Sequence, residues 1–214
     1  MDLVGYIEHL GCKIEEINLG GGFPSKTLIK TTPKNLMLSM VGIESKEGIP
    51  ELPYFANKIM GTFMKRLGEL KSRPYLAFEP GRCIVSNAGI FVSRVIDRKD
   101  DKWIFIDGST NHVPENIFFA SRRVTSTRVA GKRRKFTISG RTLNTADILS
   151  LKAELPKSIS IGDLLVILDC GAYTISRSNQ FTLLRPPVYL IKSNGKIKKI
   201  RREENYNDIF RLMR

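Results

Sequence analysis

Cysteine, histidine and tryptophan are scarce in this chain of 214 residues, which has three cysteines, two histidines and one tryptophan. The cysteines, Cys12, Cys83 and Cys170, are far apart and form no Cys-x-x-Cys pair. That pattern argues against a disulfide framework or a zinc site and fits a reducing cytosol. No apolar run approaches the roughly 20 residues of a membrane span, and the first residues lack the features of a secretory signal. We therefore expect a cytoplasmic protein without a metal site or a membrane segment.

Acidic residues are also few, since 21 aspartates and glutamates stand against 35 lysines and arginines, for a net charge of +14. Two basic runs, at 122–135 and 192–202, concentrate the excess. One interpretation is a footprint for a nucleic-acid backbone, and the other is a set of solvated hairpin tips and strand faces. Neither run has the interleaved aromatic residues of a base-stacking platform, so nucleic-acid binding is the weaker hypothesis.

The first part of the chain alternates helix and strand signals. Helical spacing over 2–10 ends at Gly11, which suits a helix C-cap, and residues 17–19 predict a short strand. A second amphipathic helix is predicted over 51–70, with prolines in its first turn, and an apolar strand over 75–78 follows it. This alternating order of helix and strand is typical of a parallel α/β unit.

The rest of the chain consists of short β-rich runs that are separated by turn signals. Together they predict an antiparallel β-domain, either a sandwich or a barrel. Asn194-Gly195 lies between the last two runs and predicts a hairpin, and residues 205–213 predict a short terminal helix. The predicted strands are 90–96, 103–106, 122–129, 135–139, 164–168, 183–191 and 196–201.

This change of pattern divides the chain into residues 1–85, with α/β character, and residues 86–214, with β character. Two parallel strands and two helices do not make a stable sheet alone, because parallel strands are normally buried on both faces. We therefore expect the first part to be the end of a larger α/β domain.

Three short motifs follow predicted strands and carry groups that suit a phosphorylated ring. At Gly20, Gly21 and Gly22 the backbone N–H groups can approach a phosphate because no Cβ intervenes, although a tight turn is the simpler interpretation. In Glu79-Pro80-Gly81-Arg82 the carboxylate suits a pyridine nitrogen and the guanidinium suits a phosphate. A Pro-Gly turn beside a surface ion pair is the alternative for that motif. The Tyr173 hydroxyl could donate to a phosphate, although a buried core tyrosine is the more common fate.

In their order and separations these motifs resemble the fold-type III pyridoxal-phosphate-dependent decarboxylases, the ornithine, diaminopimelate and arginine decarboxylase family. The resemblance implies a TIM-like (β/α)8 barrel, of which residues 1–85 would be the last two strands and helices, followed by a β-domain at 86–214. It also implies pyridoxal 5′-phosphate as cofactor, an amino-acid substrate and a homodimer with shared active sites. The residues that it assigns to the cofactor are Gly20, Gly21, Gly22, Glu79, Gly81, Arg82 and Tyr173.

The chain departs from this family at several functional positions. It has no Tyr-Ala-x-Lys setting for the Schiff-base lysine and no ring-stacking histidine. Leu143 and Asn144 occupy the positions of the family's Cys-acid pair, so no catalytic residue is assigned. Glu115 and Phe119 stand where diaminopimelate decarboxylases have an arginine and a tyrosine, and a glutamate there would repel a second substrate carboxylate. The resemblance therefore argues against diaminopimelate as substrate, and the candidates for substrate contact are Asn111, His112, Glu115 and Asn144.

These observations predict the C-terminal part of an amino-acid carboxy-lyase of polyamine or lysine biosynthesis. Without the lysine we expect the isolated chain to be inactive, and its partner to be a second copy or a complementing segment with the missing barrel strands. A non-catalytic regulatory or scaffold homologue is the main alternative, and a basic nucleic-acid-binding module is a third.

Overall fold

The computed structural model describes residues 2–25, 29–30, 50–114 and 120–213, and the elements below lie within those ranges. The helices are α1 (Asp2–His9), α2 (Leu52–Leu67), α3 (Arg82–Val85), α4 (Thr174–Arg177) and α5 (Tyr206–Phe210). The strands are β1 (Glu16–Asn18), β2 (Ile29–Lys30), β3 (Tyr75–Ala77), β4 (Phe91–Lys99), β5 (Trp103–Ile106), β6 (Ala120–Ser121), β7 (Val124–Ser126), β8 (Arg133–Ser139), β9 (Ile148–Pro156), β10 (Leu164–Ile167), β11 (Val188–Ile191) and β12 (Ile197–Arg201).

The first part of the chain contains a parallel pair of strands, β1 and β3, with Ile17 opposite Leu76. α1 ends before Gly11, whose φ of 85° suits the predicted C-cap. The Glu8 carboxylate, at the end of α1, accepts the backbone N–H groups of Lys71 at 3.0 Å and Ser72 at 2.6 Å. Hydrogen bonds from Ser72, and then from Lys71, lower the pKa of the Glu8 carboxyl against the opposing effect of burial. α1 is thereby fastened to the turn that precedes β3.

The second part is built on a six-stranded sheet with the order β7-β10-β4-β5-β8-β9. The two outer strands, β7 and β9, lie against each other, so that the sheet is nearly closed. The prediction of a wholly antiparallel domain was wrong, because β5 and β8 pair in parallel, with Ile104 opposite Ile138. Residues 107–132 separate these two strands, and a connection of that length lets the chain return and enter the sheet in the same direction.

The hydrophobic core lies inside this curved sheet. Along β8 the side chains of Phe136 and Ile138 point inward and are at most 1% exposed. They alternate with outward residues, as one buried sheet face requires. The other core side chains that are at most 1% exposed are Val95, Ile104, Ile106, Leu155, Ile159, Leu165 and Ile167.

A C-terminal hairpin of β11 and β12 follows, and its turn confirms the Asn-Gly prediction. Gly195 has a φ of 77° and donates its N–H to the Lys192 carbonyl at 2.9 Å. Behind the hairpin, Arg185 and Glu204 form an ion pair at 3.1 Å, and the Arg185 backbone N–H also donates to the Glu204 carboxylate. These bonds hold the two ends of the hairpin together.

Candidate functional site

The glycine motif and the Glu-Pro-Gly-Arg motif meet at one end of the β1–β3 pair. Because the two strands are parallel, their carboxyl ends emerge at the same edge. The Leu19 N–H donates to the Ala77 carbonyl at 3.1 Å, and the Glu79 N–H donates to the Gly20 carbonyl at 2.8 Å. The pairing thus continues beyond the strands and joins the two loops.

Each glycine of the triplet has a structural reason to be glycine. Gly20 and Gly22 have φ values of 69° and 87°, in the left-handed region that side chains disfavour. A Cβ on Gly21 would lie 2.5 Å from the carbonyl oxygen of Glu79. The turn therefore packs its bare backbone against the second motif.

Asn18, the last residue of β1, links both motifs through its side-chain amide. Its Nδ2 donates to the Glu79 Oε1 at 2.9 Å, and its Oδ1 accepts the Gly20 N–H at 2.8 Å. The sequence prediction missed this residue, although its position directly before a glycine turn at a strand end was a usable signal.

Arg82 and Tyr173 form the other side of the site. Arg82 is the first residue of α3, and its guanidinium carbon lies 5.2 Å from the centroid of the Tyr173 ring. The Tyr173 ring is 47% exposed, so the alternative of a core tyrosine was wrong. A Cβ on Gly81 would overlap the Tyr173 hydroxyl, which places that hydroxyl directly over the Gly81 backbone.

The loop before Tyr173 is docked onto the segment that follows Arg82. The N–H of Gly171 donates to the Ser86 carbonyl at 2.8 Å, and the N–H of Cys170 donates to the Gly89 carbonyl at 2.8 Å. A Cβ on Gly171 would overlap the Val85 carbonyl. Two backbone hydrogen bonds and one close approach thus hold the loop that follows β10, with Tyr173, against the segment that follows Arg82.

The structure brings together every residue that was predicted to hold the cofactor. The glycine turn and Glu79 lie side by side, and Gly81 and Arg82 contact Tyr173. A carboxylate acceptor therefore lies beside a bare backbone turn, and a guanidinium lies beside a phenolic hydroxyl at the other end of the same Glu-Pro-Gly-Arg motif. Such a set can receive a protonated ring nitrogen on one side and a phosphate on the other.

The candidates for substrate contact at Asn111 and His112 hold loops together. Asn111 donates its side-chain N–H to the Phe181 carbonyl at 2.8 Å. The His112 ring is 8% exposed, and its Nε2 lies 3.0 Å from the Leu184 carbonyl. Burial lowers the pKa of His112 against the opposing effect of that hydrogen bond. Their role toward a substrate stays a prediction.

The loop at 140–147, which contains Leu143 and Asn144, is organised by Asp147. This carboxylate is 1% exposed and accepts five hydrogen bonds, from Ser109, Thr110 and Thr142. Leu143 is fully exposed at the tip, and the Asn144 Oδ1 accepts the Ala146 N–H at 2.9 Å.

The remaining site predictions, Glu115 and Phe119, lie outside the described residues. Within the described ranges, histidine, cysteine and carboxylate side chains form no group of three that would suit a metal ion. The helices found in those ranges are too short or too polar to cross a membrane.

Residues 37–171 match the sequence model of a family described as pyridoxal-dependent decarboxylase, C-terminal sheet domain. The chain belongs to this family. The resemblance that the three motifs carry is therefore confirmed, and the family is pyridoxal-dependent. The match crosses the predicted boundary at residues 85 and 86, and that division of the chain stays a prediction.

Several similar proteins are diaminopimelate decarboxylases. That of Methanocaldococcus jannaschii is 29% identical over 213 residues, covering 98% of this chain and 44% of the relative. That of Methanothermobacter thermautotrophicus is 28% identical over 218 residues, covering 99% of this chain and 47% of the relative. The chain thus spans about half the length of the curated relatives it matches.

Solved structures show the same architecture. The crystal structure of diaminopimelate decarboxylase from M. jannaschii has a TM-score of 0.76 at 26% identity, covering 100% of this chain and 46% of that one. The enzyme from Helicobacter pylori, solved with L-lysine, has a TM-score of 0.73 at 20% identity over 99% of this chain and 48% of that one, a likeness of fold alone.

Proposed function

We propose that this chain is the C-terminal part of a pyridoxal-phosphate-dependent amino-acid carboxy-lyase. One observation supports this proposal most directly. At the end of the parallel β1–β3 pair, the glycine turn contacts Glu79, and Arg82 contacts Tyr173. In this proposal residues 1–85 are the end of a TIM-like barrel, and a segment with the other barrel strands completes the enzyme. Family membership and the likeness to whole decarboxylases support it.

The residues present fit the cofactor. When bound, pyridoxal 5′-phosphate supplies an electron sink for the negative charge left by the departing carboxylate. The Glu79 carboxylate accepts the N–H of the ring and so keeps a proton on the ring nitrogen. The Arg82 guanidinium and the Tyr173 hydroxyl donate to the phosphate, together with the backbone N–H groups of the glycine turn. The Gly20 N–H is bonded to Asn18, so we assign this contact to Gly21 and Gly22.

The covalent attachment of the cofactor requires a lysine that these 214 residues do not supply in the family's setting. We propose that the complementing barrel segment provides it. The isolated chain would then hold the phosphate and the ring without releasing carbon dioxide.

We propose an amino acid as the substrate, because several similar proteins are named as diaminopimelate decarboxylases. By the family resemblance, Glu115 stands where diaminopimelate decarboxylases have an arginine, and a carboxylate at that position would repel the second carboxylate of diaminopimelate. A monocarboxylic amino acid with a basic side chain fits this glutamate better.

A regulatory or scaffold homologue is the second candidate. It is favoured by Leu143, which is fully exposed at the loop tip and has no proton to give to a reacting carbon. In this case the chain would keep the cofactor surface and the homodimer surface of its family without catalysis.

Nucleic-acid binding receives less support, because several cations of the basic runs are paired with acids. Examples are Arg128 with Asp163 at 2.8 Å and Lys199 with Glu203 at 3.1 Å. A salt-dependent shift assay should show no complex at physiological ionic strength.

Co-expression tests the proposal directly. The chain would be produced alone and together with the half of the M. jannaschii enzyme that it does not cover, and carbon dioxide release from lysine, ornithine, arginine and diaminopimelate would be measured. We expect release only from the pair, and loss of release in Arg82→Ala. Activity of the chain alone would refute the complementation, and a pair that binds cofactor without any release would favour the scaffold.

A further inference from the structure

Asn18 has an amide orientation that its neighbours fix. A carboxylate can only accept hydrogen bonds, and a backbone N–H can only donate. The Nδ2 must therefore face the Glu79 Oε1 at 2.9 Å, and the Oδ1 must face the Gly20 N–H at 2.8 Å. Of the residue types that match the size of this side chain, only asparagine can make both bonds, because aspartate lacks the donor and leucine lacks both groups.

We propose that Asn18 is a positioning residue that prepares Glu79 for the ring nitrogen of a pyridine ligand. The inference rests on the proposed function, because it gives Glu79 its role. Glu79 is exposed, and a free glutamate side chain of this kind samples many rotamers. A hydrogen bond that holds one carboxylate oxygen leaves the other directed toward the ligand, so that less conformational entropy is lost on binding.

The second bond of Asn18 acts on the phosphate side of the same site. By accepting the Gly20 N–H it fixes the turn whose following residues, Gly21 and Gly22, we assign to the phosphate. Asn18 thus positions both the group that binds the ring nitrogen and the turn that binds the phosphate. Substitutions at this position can separate its effect on ring binding from its effect on phosphate binding.

Asn18→Asp keeps an oxygen for the Gly20 N–H but replaces the donor to Glu79 with a second carboxylate oxygen. Asn18→Ala removes both bonds. Asn194→Asp is the matched control, because the Asn194 Oδ1 also accepts a backbone N–H, that of Lys196 at 3.1 Å, in the turn of the C-terminal hairpin. It makes the same chemical change far along the chain from the site.

The test is calorimetric titration of the full 214-residue chain with pyridoxine 5′-phosphate, which has an alcohol in place of the aldehyde and does not react with lysines. Its 1-deaza analogue, with a C–H at the ring-nitrogen position, is the second probe. We expect Asn18→Asp to weaken binding of pyridoxine 5′-phosphate about tenfold, the effect of one charge-assisted hydrogen bond, and to weaken binding of the deaza analogue clearly less, through repulsion between the added carboxylate and the phosphate alone. Asn18→Ala should weaken both, and Asn194→Asp neither.

The ratio of the two affinities is the deciding measurement, since a general loss of structure would lower both together. Wild-type affinity of Asn18→Asp for pyridoxine 5′-phosphate, or an equal loss for both probes, would overturn this inference and leave the proposed function standing. If the unmodified chain binds neither probe at millimolar concentration, the proposed function fails instead, and the role of Asn18 fails with it.

Discussion

The Tyr173 hydroxyl packs on the backbone of Gly81, so that the loop after β10 touches the loop after β3 at a position where no side chain fits. The Tyr173 backbone has a φ of 59°, an uncommon conformation for a residue with a Cβ. The docking of the preceding loop through Cys170 and Gly171 holds it there. The contact with Gly81 and the docking of the preceding loop together fix the position of the Tyr173 ring.

Gly81→Ala should displace the Tyr173 ring. The Gly81 φ of −109° lies outside the left-handed region that requires glycine, and a Tyr173→Phe background separates the contact with the tyrosine from any effect on the backbone. We expect binding of pyridoxine 5′-phosphate to weaken about tenfold, as for loss of one hydrogen bond to a charged group. In a Tyr173→Phe background the overlapping oxygen is gone and the nearest ring atom, Cζ, lies 3.3 Å from the new methyl group. The same substitution should then have little further effect, and equal losses in both backgrounds would argue against the contact.

Asp147→Asn should destabilise the fold. The carboxylate accepts five hydrogen bonds in a buried position, and asparagine offers one oxygen and an amide group that faces donors. We expect a loss of about 3 kcal/mol in the free energy of unfolding, measured in urea. Asp97→Asn, at an exposed position whose Oδ1 accepts the Arg98 N–H at 2.7 Å, is the control and should change stability little. Equal stability of the two variants would contradict the role of Asp147.

The sequence predicted much of this fold because several local signals agree with the tertiary structure. Helical spacing and a terminal glycine place α1, and the Asn194-Gly195 turn places the last hairpin. The three motifs also predicted which residues converge, since parallel strands deliver their carboxyl ends to the same edge.

β9 was missed, although its pattern was readable. Leu149, Ala153 and Leu155 are buried at two- and four-residue steps, as one face of a strand requires. The parallel pairing of β5 and β8 was missed for another reason. Strand direction across a long connection depends on how the chain crosses over, and no local pattern reports it.

Asn18 and Asp147 escaped prediction as organising residues because their importance lies in partners that are distant in sequence. Glu79 is 61 residues from Asn18, and Ser109 is 38 residues from Asp147. The place of Asn18 before a glycine turn marked it as a candidate, but which distant groups the side chains of Asn18 and Asp147 bind is decided only when the chain folds.

His112 should make stability depend on pH. Burial holds its folded pKa below the ordinary value of 6.5, and among nearby charges Asp147 and Asp107 oppose this shift while Arg141 reinforces it. Its Nδ1 is buried and lacks a hydrogen-bond partner among the described residues, so a proton there would be unsatisfied. The unfolded chain binds that proton more readily. The contribution of neutral His112 to the free energy of unfolding is therefore complete above pH 6.5. It is lost as the pH falls below 6.5 toward the lower pKa of the folded state.

The measurement is urea unfolding at about pH 7.5 and about pH 5.5. We expect the wild type to be less stable at the lower pH. In His112→Gln, which can still donate to the Leu184 carbonyl but does not titrate, this difference should shrink. His9→Gln, at an exposed position, serves as the control and should keep it. An unchanged pH dependence in His112→Gln would rule out this histidine as its source.

The isolated chain should self-associate through the parallel strand pair. Within the described residues β1 and β3 pair only with each other, and Leu19 and Tyr75 are 53% and 78% exposed. Open strand edges and uncovered apolar side chains favour association with further strands. Sedimentation velocity should show concentration-dependent species larger than the monomer, and Tyr75→Lys should reduce them. Tyr206→Lys, at a similarly exposed position on α5, should not. A single monomeric species for the wild type would show that the pair is stable as it stands and would remove the structural reason for a complementing barrel segment.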